Sequence, residues 1–439
     1  MTHAHCRRLP AGLPAAHRAA FSCLVALAWS MTAAQAATPN EPAWATMPAP
    51  LLPVRLPVAQ PRAPADANGW RLRAEAADFT AADAVPARDF SGDWADYHPR
   101  DGRNSALQSS RAELVASRQG WELAATARSD IVIQGSRGAF DVVHAYKQRA
   151  TPADGSSYAA DAQEQGVVWA GLRGARSWAV GPAPGPGATP ALQLTAAVTL
   201  LSVRRVQLAD VQGAVTYSDA AGYGFDARTQ RSDSFKQFGG YGEAHSTGRG
   251  FTTDVGLLWQ PSAALFVNLS AVDVASRLRL QNLSTEATTL SSATRGTDAQ
   301  GYLNYKPLAT GRYSAGDGRL QLARKWSASA GWRLDGRSAG EPGWLDGAVL
   351  GARWEHIAGL NLPALWATWP LAPGWALQLD ADSRFRSLGV GVASPFASLL
   401  LRTRSLPVGG ASALGWQAAL HWPWSGPASR APGARAQSD

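Results

Sequence analysis

Cysteine is nearly absent: there are two in 439 residues, Cys6 and Cys23, and both fall in the first 36. Those 36 residues read as a secretory leader. Arg7, Arg8 and Arg18 form a basic stretch, 19–29 a short apolar run, and Ala34-Gln35-Ala36 an A-x-A cleavage site. The run is too short to cross a bilayer as a helix, which takes about 20 apolar residues. Cleavage after Ala36 leaves a mature chain without cysteine, which excludes disulfides and thiolate metal sites. Charge is scarce as well, at 17% Asp, Glu, Lys and Arg, against a usual quarter or so. Three arginines and no acid leave with the leader, so the net charge falls from +8 to +5. The remaining bases form no K/R-rich block, and no helix-turn-helix, zinc-finger or RNP pattern accompanies them, so nucleic acid is not an expected partner. Also missing is any apolar run in the mature chain long enough for a spanning helix.

What is plentiful is tryptophan, with 18 residues. Residues 37–68 are a Pro-rich extended linker, with prolines at 39, 42, 48, 50, 53, 57, 61 and 64, a spacing that forbids helix and sheet. From Gly69 the texture changes to short alternating runs. In 325–335, Trp326, Ala328, Ala330, Trp332 and Leu334 oppose Lys325, Ser327, Ser329, Arg333 and Asp335. In 251–260, Phe251, Val255, Leu257 and Trp259 oppose Thr252, Asp254, Gly256 and Gln260. Trp375, Leu377 and Leu379 oppose Gln378, Asp380 and Asp382, and Trp416, Ala418, Leu420 and Trp422 oppose Gln417 and His421. Successive strand side chains point to opposite faces, so a period of two means a sheet with one apolar and one polar face.

A soluble sandwich alternates too, but three features favour a membrane barrel. The apolar faces begin and end with aromatics (Trp326/Trp332, Trp416/Trp422, Phe251/Trp259). Such strands, tilted ~40°, fit inside an apolar band ~25 Å tall between aromatic girdles. Loops alternate between tight, at Ser394-Pro395 and 406–410, and long and polar, at 218–250 and 281–299. A leader is present with no later spanning helix. The expected fold is therefore all-β: a closed antiparallel transmembrane barrel of about 14 strands (12–16) over 69–424, followed by a disordered tail over 425–439. Expected strands are 107–117, 120–132, 138–147, 164–176, 191–204, 206–218, 248–260, 263–275, 300–306, 318–334, 343–355, 375–382, 385–393, 396–405 and 412–423, with 69–78 and 361–369 as further candidates.

One strand has a more specific look. Gly248, Gly250, Phe251, Asp254, Gly256, Trp259 and Pro261 follow a pattern G-x-G-aromatic-x-x-D-apolar-G-x-x-aromatic-x-P, and Val272-Asp273-Val274 supplies an apolar-Asp-apolar step on the next strand. This pair resembles strands of the long-chain fatty-acid transporter superfamily, which includes TraF- and PorV-like outer-membrane proteins. The resemblance implies a closed barrel in the cell outer membrane and leaves the substrate open.

The polar strand face of a barrel lines its lumen. Lys325, Arg333, Asp335, Asp380, Asp382, Arg384, Arg386, Arg402 and Arg404 are expected there, and Trp259, Trp326, Trp332, Trp375, Trp416 and Trp422 at the membrane interfaces. The charged set reads either as an arginine-rich constriction selecting anions or, more simply, as a salt-bridge ladder, with Asp380 and Asp382 near enough in sequence to Arg384 and Arg386 to pair. No catalytic constellation stands out. His245-Ser246 is the best local candidate for a lipid hydrolase, but neighbours on a strand point to opposite faces. His144, His356 and His421 are isolated from one another in sequence, so no metal or cofactor is expected. The expected function is an outer-membrane channel or transporter for a hydrophobic or small polar solute. The alternatives are a structural accessory of an envelope export or conjugation apparatus, docking through the Pro-rich segment, and a lumen or rim lipid hydrolase. Expected partners are outer-membrane lipid and the barrel-assembly machinery.

Overall fold

In a bilayer no water satisfies a free backbone N–H or C=O, so a spanning strand must pair along both edges. The structure, a computed structural model, describes residues 70–424 apart from 88–91, 181–191, 235–245, 263, 298–299, 301–302, 335–344, 373 and 406–409. The leader, the linker and the 425–439 tail lie outside the described residues. Fourteen antiparallel strands pair edge to edge into a closed ring. They run β1 (Trp70–Ala82), β2 (Arg103–Arg118), β3 (Trp121–Ser136), β5 (Ala162–Val180) and β6 (Leu192–Ser218), then β8 (Thr247–Trp259), β9 (Leu265–Ser291) and β13 (Lys325–Arg333). The ring continues through β14 (Val349–Ile357), β15 (Leu360–Ala372), β16 (Trp375–Asp382), β17 (Ser387–Ala393), β18 (Ala397–Thr403) and β19 (Ala413–Trp424). Closure joins the first strand to the last, from Trp70 opposite Trp424 to Ala81 opposite Ala413.

The outward faces are apolar. Leu123, Leu172, Leu200, Leu365, Leu388 and Leu401 are all more than half exposed. Tryptophans mark the rim where the strand ends Trp70 and Trp424 meet: Trp121, Trp178, Trp259, Trp332 and Trp375 are outward and exposed there. Trp422 lies on the same rim, half-buried, while Trp326 and the half-buried Trp416 sit further along their strands towards the other. Turns at the first, plain rim include Gln119-Gly120, with φ of +47° and +83°, the left-handed pair that a two-residue hairpin needs.

The opposite rim is elaborated. β6 and β9 each run 27 residues and rise past the ring. Between them β8 fills the lower stretch and β7 (Gly222–Asp233) the upper. β4 (Ser157–Ala159) flanks the upper part of β6, and β12 (Ala309–Leu320) that of β9. A separate hairpin pairs β10 (Arg295–Thr297) with β11 (Leu303–Tyr305). Next to this extension sits α1 (Arg137–Gln148), capped by Ser136, whose hydroxyl accepts the Ala139 amide at 3.1 Å. Its Phe140 packs with Trp94, Val85 and Ala106.

Several expectations are corrected here. The 138–147 strand is helix α1: Ser136 is an N-cap, and the apparent alternation of 140–146 is one buried side of a short helix. The two strands expected at 191–204 and 206–218 are one, because a bulge at Val168/Trp169 shifts the register without breaking the ladder. The reverse holds at 318–334, which divides into β12 and β13, and β9 continues well past 275. The loops expected at 218–250 and 281–299 are largely strand, in β7, β8 and the top of β9. The tight turn expected at Ser394-Pro395 joins β17 to β18 at the plain rim, whereas the one expected at 406–410 falls mostly on 406–409, outside the described residues.

A charge on the lipid-facing wall should cost about 2–4 kcal/mol near mid-height. Leu365→Arg, on outward β15, should therefore shift the refolding equilibrium into lipid vesicles by that amount. Tyr313→Arg on β12, also more than half exposed but on the extension beyond the ring, should leave the equilibrium unchanged, and an equal penalty at both sites would contradict an apolar band confined to the ring.

Candidate functional site in the barrel lumen

Eight strands make a barrel that side chains just fill, and 16–18 leave a water channel. Fourteen lie between, so closing the lumen takes long side chains, and the inward faces supply them. Neighbouring groups of charged side chains come from β1, β2, β3, β5, β9 and β13. Glu75 receives Arg111, and also Gln417 at 3.0 Å. Arg173 pairs with Glu122 and, at 3.4 Å, with Glu113. Arg128 pairs with Asp130 on its own strand and reaches Asp273 on β9 at 3.1 Å. Lys325 crosses to Asp130 at 2.6 Å. A second network links β14, β16 and β18: Arg353 holds Glu355 and Asp380 at 2.9 Å each, and Arg402 closes on Asp380. Most of these groups are buried, while Glu122 and Asp130 keep 17% and 18% side-chain exposure. What remains between Arg111, Arg128, Arg173 and Asp254 is a cavity of about 20 Å³, room for roughly one ordered water.

Asp254 explains the motif strand. β8 and β9 lose register between Thr253 and Val255, and Asp273 bulges out with a left-handed φ of +58°. The Asp254 carboxylate accepts the displaced Asp273 amide at 3.0 Å, while Asp273 accepts the Thr252 hydroxyl at 2.8 Å. The two acids of the pattern thus stabilise one bulge, which holds Asp273 buried within reach of Arg128. Gly250 has a packing role: a Cβ there would come within 2.1 Å of the Arg277 carbonyl. Trp259 is outward at the plain rim, and Pro261 follows in the exposed turn.

Towards the elaborated mouth the filling turns apolar. Phe79, Leu107, Val132, Val272, Ile357, Leu360, Leu362 and Phe385 form one buried cluster, with contributors from all sides of the ring. The β14–β15 hairpin tip supplies two of them, and its Ala358 carbonyl accepts Gln134 Nε2 at 2.9 Å from β3, half a ring away. Phe79 meets Phe385 edge-on at 6.3 Å. Sequence reasoning missed this layer. Its members come from eight separate segments, and nothing local distinguishes an inward leucine from one that faces lipid.

The charged candidates fall into two groups. Lys325, Asp380 and Arg402 line the lumen and are paired as described; Arg333 ends β13 at the plain rim, half-buried. Asp382 also faces inward, but it accepts the Arg384 and Phe385 amides at 2.8 and 3.3 Å. Arg384, Arg386 and Arg404 are not on the wall: the first two form the β16–β17 turn, and Arg404 lies beyond β18, bonded to Ser412. The pairing expected between Asp380 or Asp382 and the turn arginines is replaced by Arg353 and Arg402 for Asp380, because side chains two strands away inside the curved wall come closer than those around the turn. Asp335 and His245 lie outside the described residues. Of the isolated histidines, His144 stacks on Tyr97 at 4.3 Å, and His356 bonds Asn361 at 2.9 Å. Among the described residues no cluster of His, Cys, Asp or Glu could hold a metal ion.

Arg384 instead ties the β16–β17 turn to Asp83 after β1, at 2.6 Å. Burial pushes the Asp83 carboxyl up to about 6, against the opposing pull of Arg100 and the Ser105 amide.

Two outcomes are expected. Asp380→Ala strands the Arg402 charge and leaves Arg353 with Glu355 alone, and should cost about 3–5 kcal/mol, read as a lower temperature for the folded-to-unfolded gel shift. Adding Arg353→Met, Arg402→Met and Glu355→Gln, which removes every charge of this group, should recover most of it. For Asp83 the folded protein takes up the proton more readily than the unfolded chain. Its contribution to stability is full below the ordinary value near 3.8 and is lost as pH rises through about 6. Wild type should thus gain more stability between pH 7 and pH 4 than Asp83→Asn does; equal pH profiles of thermal unfolding would contradict this.

No protein-family model matches the sequence, and no curated protein matches it. Among solved structures the chain is similar to a monoaromatic hydrocarbon channel, the TodX deltaS2S3 mutant, at 10% identity and a TM-score of 0.40, covering 81% of this chain and 90% of that one. It is similar to the P. putida toluene transporter TodX at 9% identity and a TM-score of 0.39, covering 83% and 92%. A Pseudomonas aeruginosa FadL homologue gives 12% identity and a TM-score of 0.35, covering 80% and 89%.

Proposed function

We propose that this chain is an outer-membrane barrel that passes a small hydrophobic solute, with the elaborated mouth outside the cell and the plain rim in the periplasm. Short turns on the periplasmic side and long elements outside are the rule for such barrels. The observation that carries the reading is the apolar layer at the mouth, set over a lumen whose charges are already paired. A hydrophobic constriction excludes water and ions by dewetting, whereas an apolar solute can enter it by replacing one apolar contact with another. Among the described residues, the lumen arginines Arg111, Arg128, Arg173, Arg353 and Arg402 are paired with acids, which disfavours an open cationic ring for selecting anions.

In planar bilayers the wild type should show no steady ionic conductance. Proteoliposomes should nonetheless take up a hydrophobic dye such as N-phenylnaphthylamine faster than empty liposomes. Phe79→Ala with Phe385→Ala thins the layer and should produce steady conductance. Steady conductance in the wild type would sink the proposal. Silence towards both ions and dye, before and after substitution, would favour a structural role in an envelope apparatus.

A further inference from the structure

On the outer face of β8 the residues run upward from Trp259 through Leu257, Val255, Thr253 and Phe251 to Arg249. Ten residues of tilted strand separate Trp259 from Arg249, a rise of roughly 25 Å, the height of the apolar band. Arg249 therefore stands at the far edge of that band. On β9 the outward residues above the bulge are Ala275, Arg277 and Arg279, with the inward Leu278 and Leu280 buried between them. Register places Arg249 opposite Arg279, and Arg279 opposite Arg319 on β12. Arg277 is opposite Phe251, one step lower, and Arg204 is exposed on β6 beside this row.

Like charges placed directly opposite on neighbouring strands are destabilising, and here three guanidinium groups share one cross-strand row. No described carboxylate forms an ion pair with Arg249, Arg277, Arg279 or Arg319, although Asp317 lies two residues from Arg319 on β12. All four arginines are exposed. Directly beneath them Leu200 and Phe251 are outward and exposed, so the patch joins a cationic upper part to an apolar lower part. Guanidinium forks match phosphate oxygens two at a time.

We propose that Arg249, Arg279 and Arg319, flanked by Arg204 and Arg277, bind the phosphates of an acylated, phosphorylated lipid of the outer leaflet, whose chains lie on Leu200 and Phe251. The site rests on the barrel's lying in a bilayer with its elaborated mouth outside the cell, as proposed above, and is independent of what crosses the lumen. The row is explained by its ligand: the anion turns three mutually repelling charges into a chelate.

The test uses the full-length protein in phosphate-free detergent, titrated with diphosphorylated lipid A, with the same lipid dephosphorylated, and with inorganic phosphate. Bound lipid is read by mass spectrometry of the intact complex, and folding by the heat-dependent gel shift. Wild type should prefer the diphosphorylated lipid by about tenfold or more over the dephosphorylated one, as charge-assisted pairs would give. Arg249→Gln/Arg279→Gln/Arg319→Gln should lose that preference, and without lipid it should unfold at a temperature no lower than wild type, since like-charge repulsion is relieved. Arg279→Gln alone, at the centre of the row, should weaken binding several-fold and serves if the triple variant does not fold. Arg176→Gln, at the plain rim, should bind as wild type does. Undiminished binding by the row variants, or an equal loss in Arg176→Gln, would overturn the site. Stabilisation by inorganic phosphate equal to that by the lipid would overturn the lipid as its ligand.

Discussion

Everything in this fold depends on the pairing of β1 with β19. Twelve residue pairs, from Trp70–Trp424 to Ala81–Ala413, join the ends of the sheet. Without that seam two strands would present free N–H and C=O groups to lipid, each costing several kcal/mol. Closure also fixes which residues face in. Once the ring is shut, every odd-numbered residue from Arg73 to Ala81 points to the lumen, and the partners across it are set by the register all the way round.

Closing fourteen strands creates an interior that has to be filled, and the chain fills it in two ways. Low down, long charged side chains reach one another and neutralise in place, as Lys325 does with Asp130 and Arg353 with Asp380. Such buried pairs add little net stability, because desolvation offsets attraction, but they make the loss of any one partner expensive. Near the mouth, a hairpin tip and a turn bend inward and complete an apolar layer with Phe79, Leu107 and Val132. The bulge at Asp254 and Asp273 lies where the two zones meet: Asp273 pairs with Arg128 in the charged zone, and Val272 beside it packs in the apolar layer.

The two faces of the wall therefore pose opposite electrostatic problems. Inside, acids pair with bases and most of them are buried. Outside, at the edge of the apolar band, arginines are aligned with one another and left to the surroundings. A matched interior suits a wall that must keep its shape around a closed passage; an unmatched exterior suits a surface that meets an anionic leaflet.

Local pattern was enough for the barrel itself. The alternation in 325–335 and 375–382 and the strand expected at 412–423 lie close to β13, β16 and β19, and the closed ring has the fourteen strands expected, although fifteen segments and two further candidates read as strand. It was not enough where neighbours decide. Residues 138–147 alternate well enough for a strand, yet Ser136 caps them into a helix. The continuation of β6 and β9 beyond the membrane depends on β7 and β12 being there to pair with them. Asp380 could be placed in the lumen from its strand alone, but its partners Arg353 and Arg402 come from two strands to either side. A period of two states which way a side chain points from its own strand; what it meets there depends on register and curvature, which belong only to the closed ring.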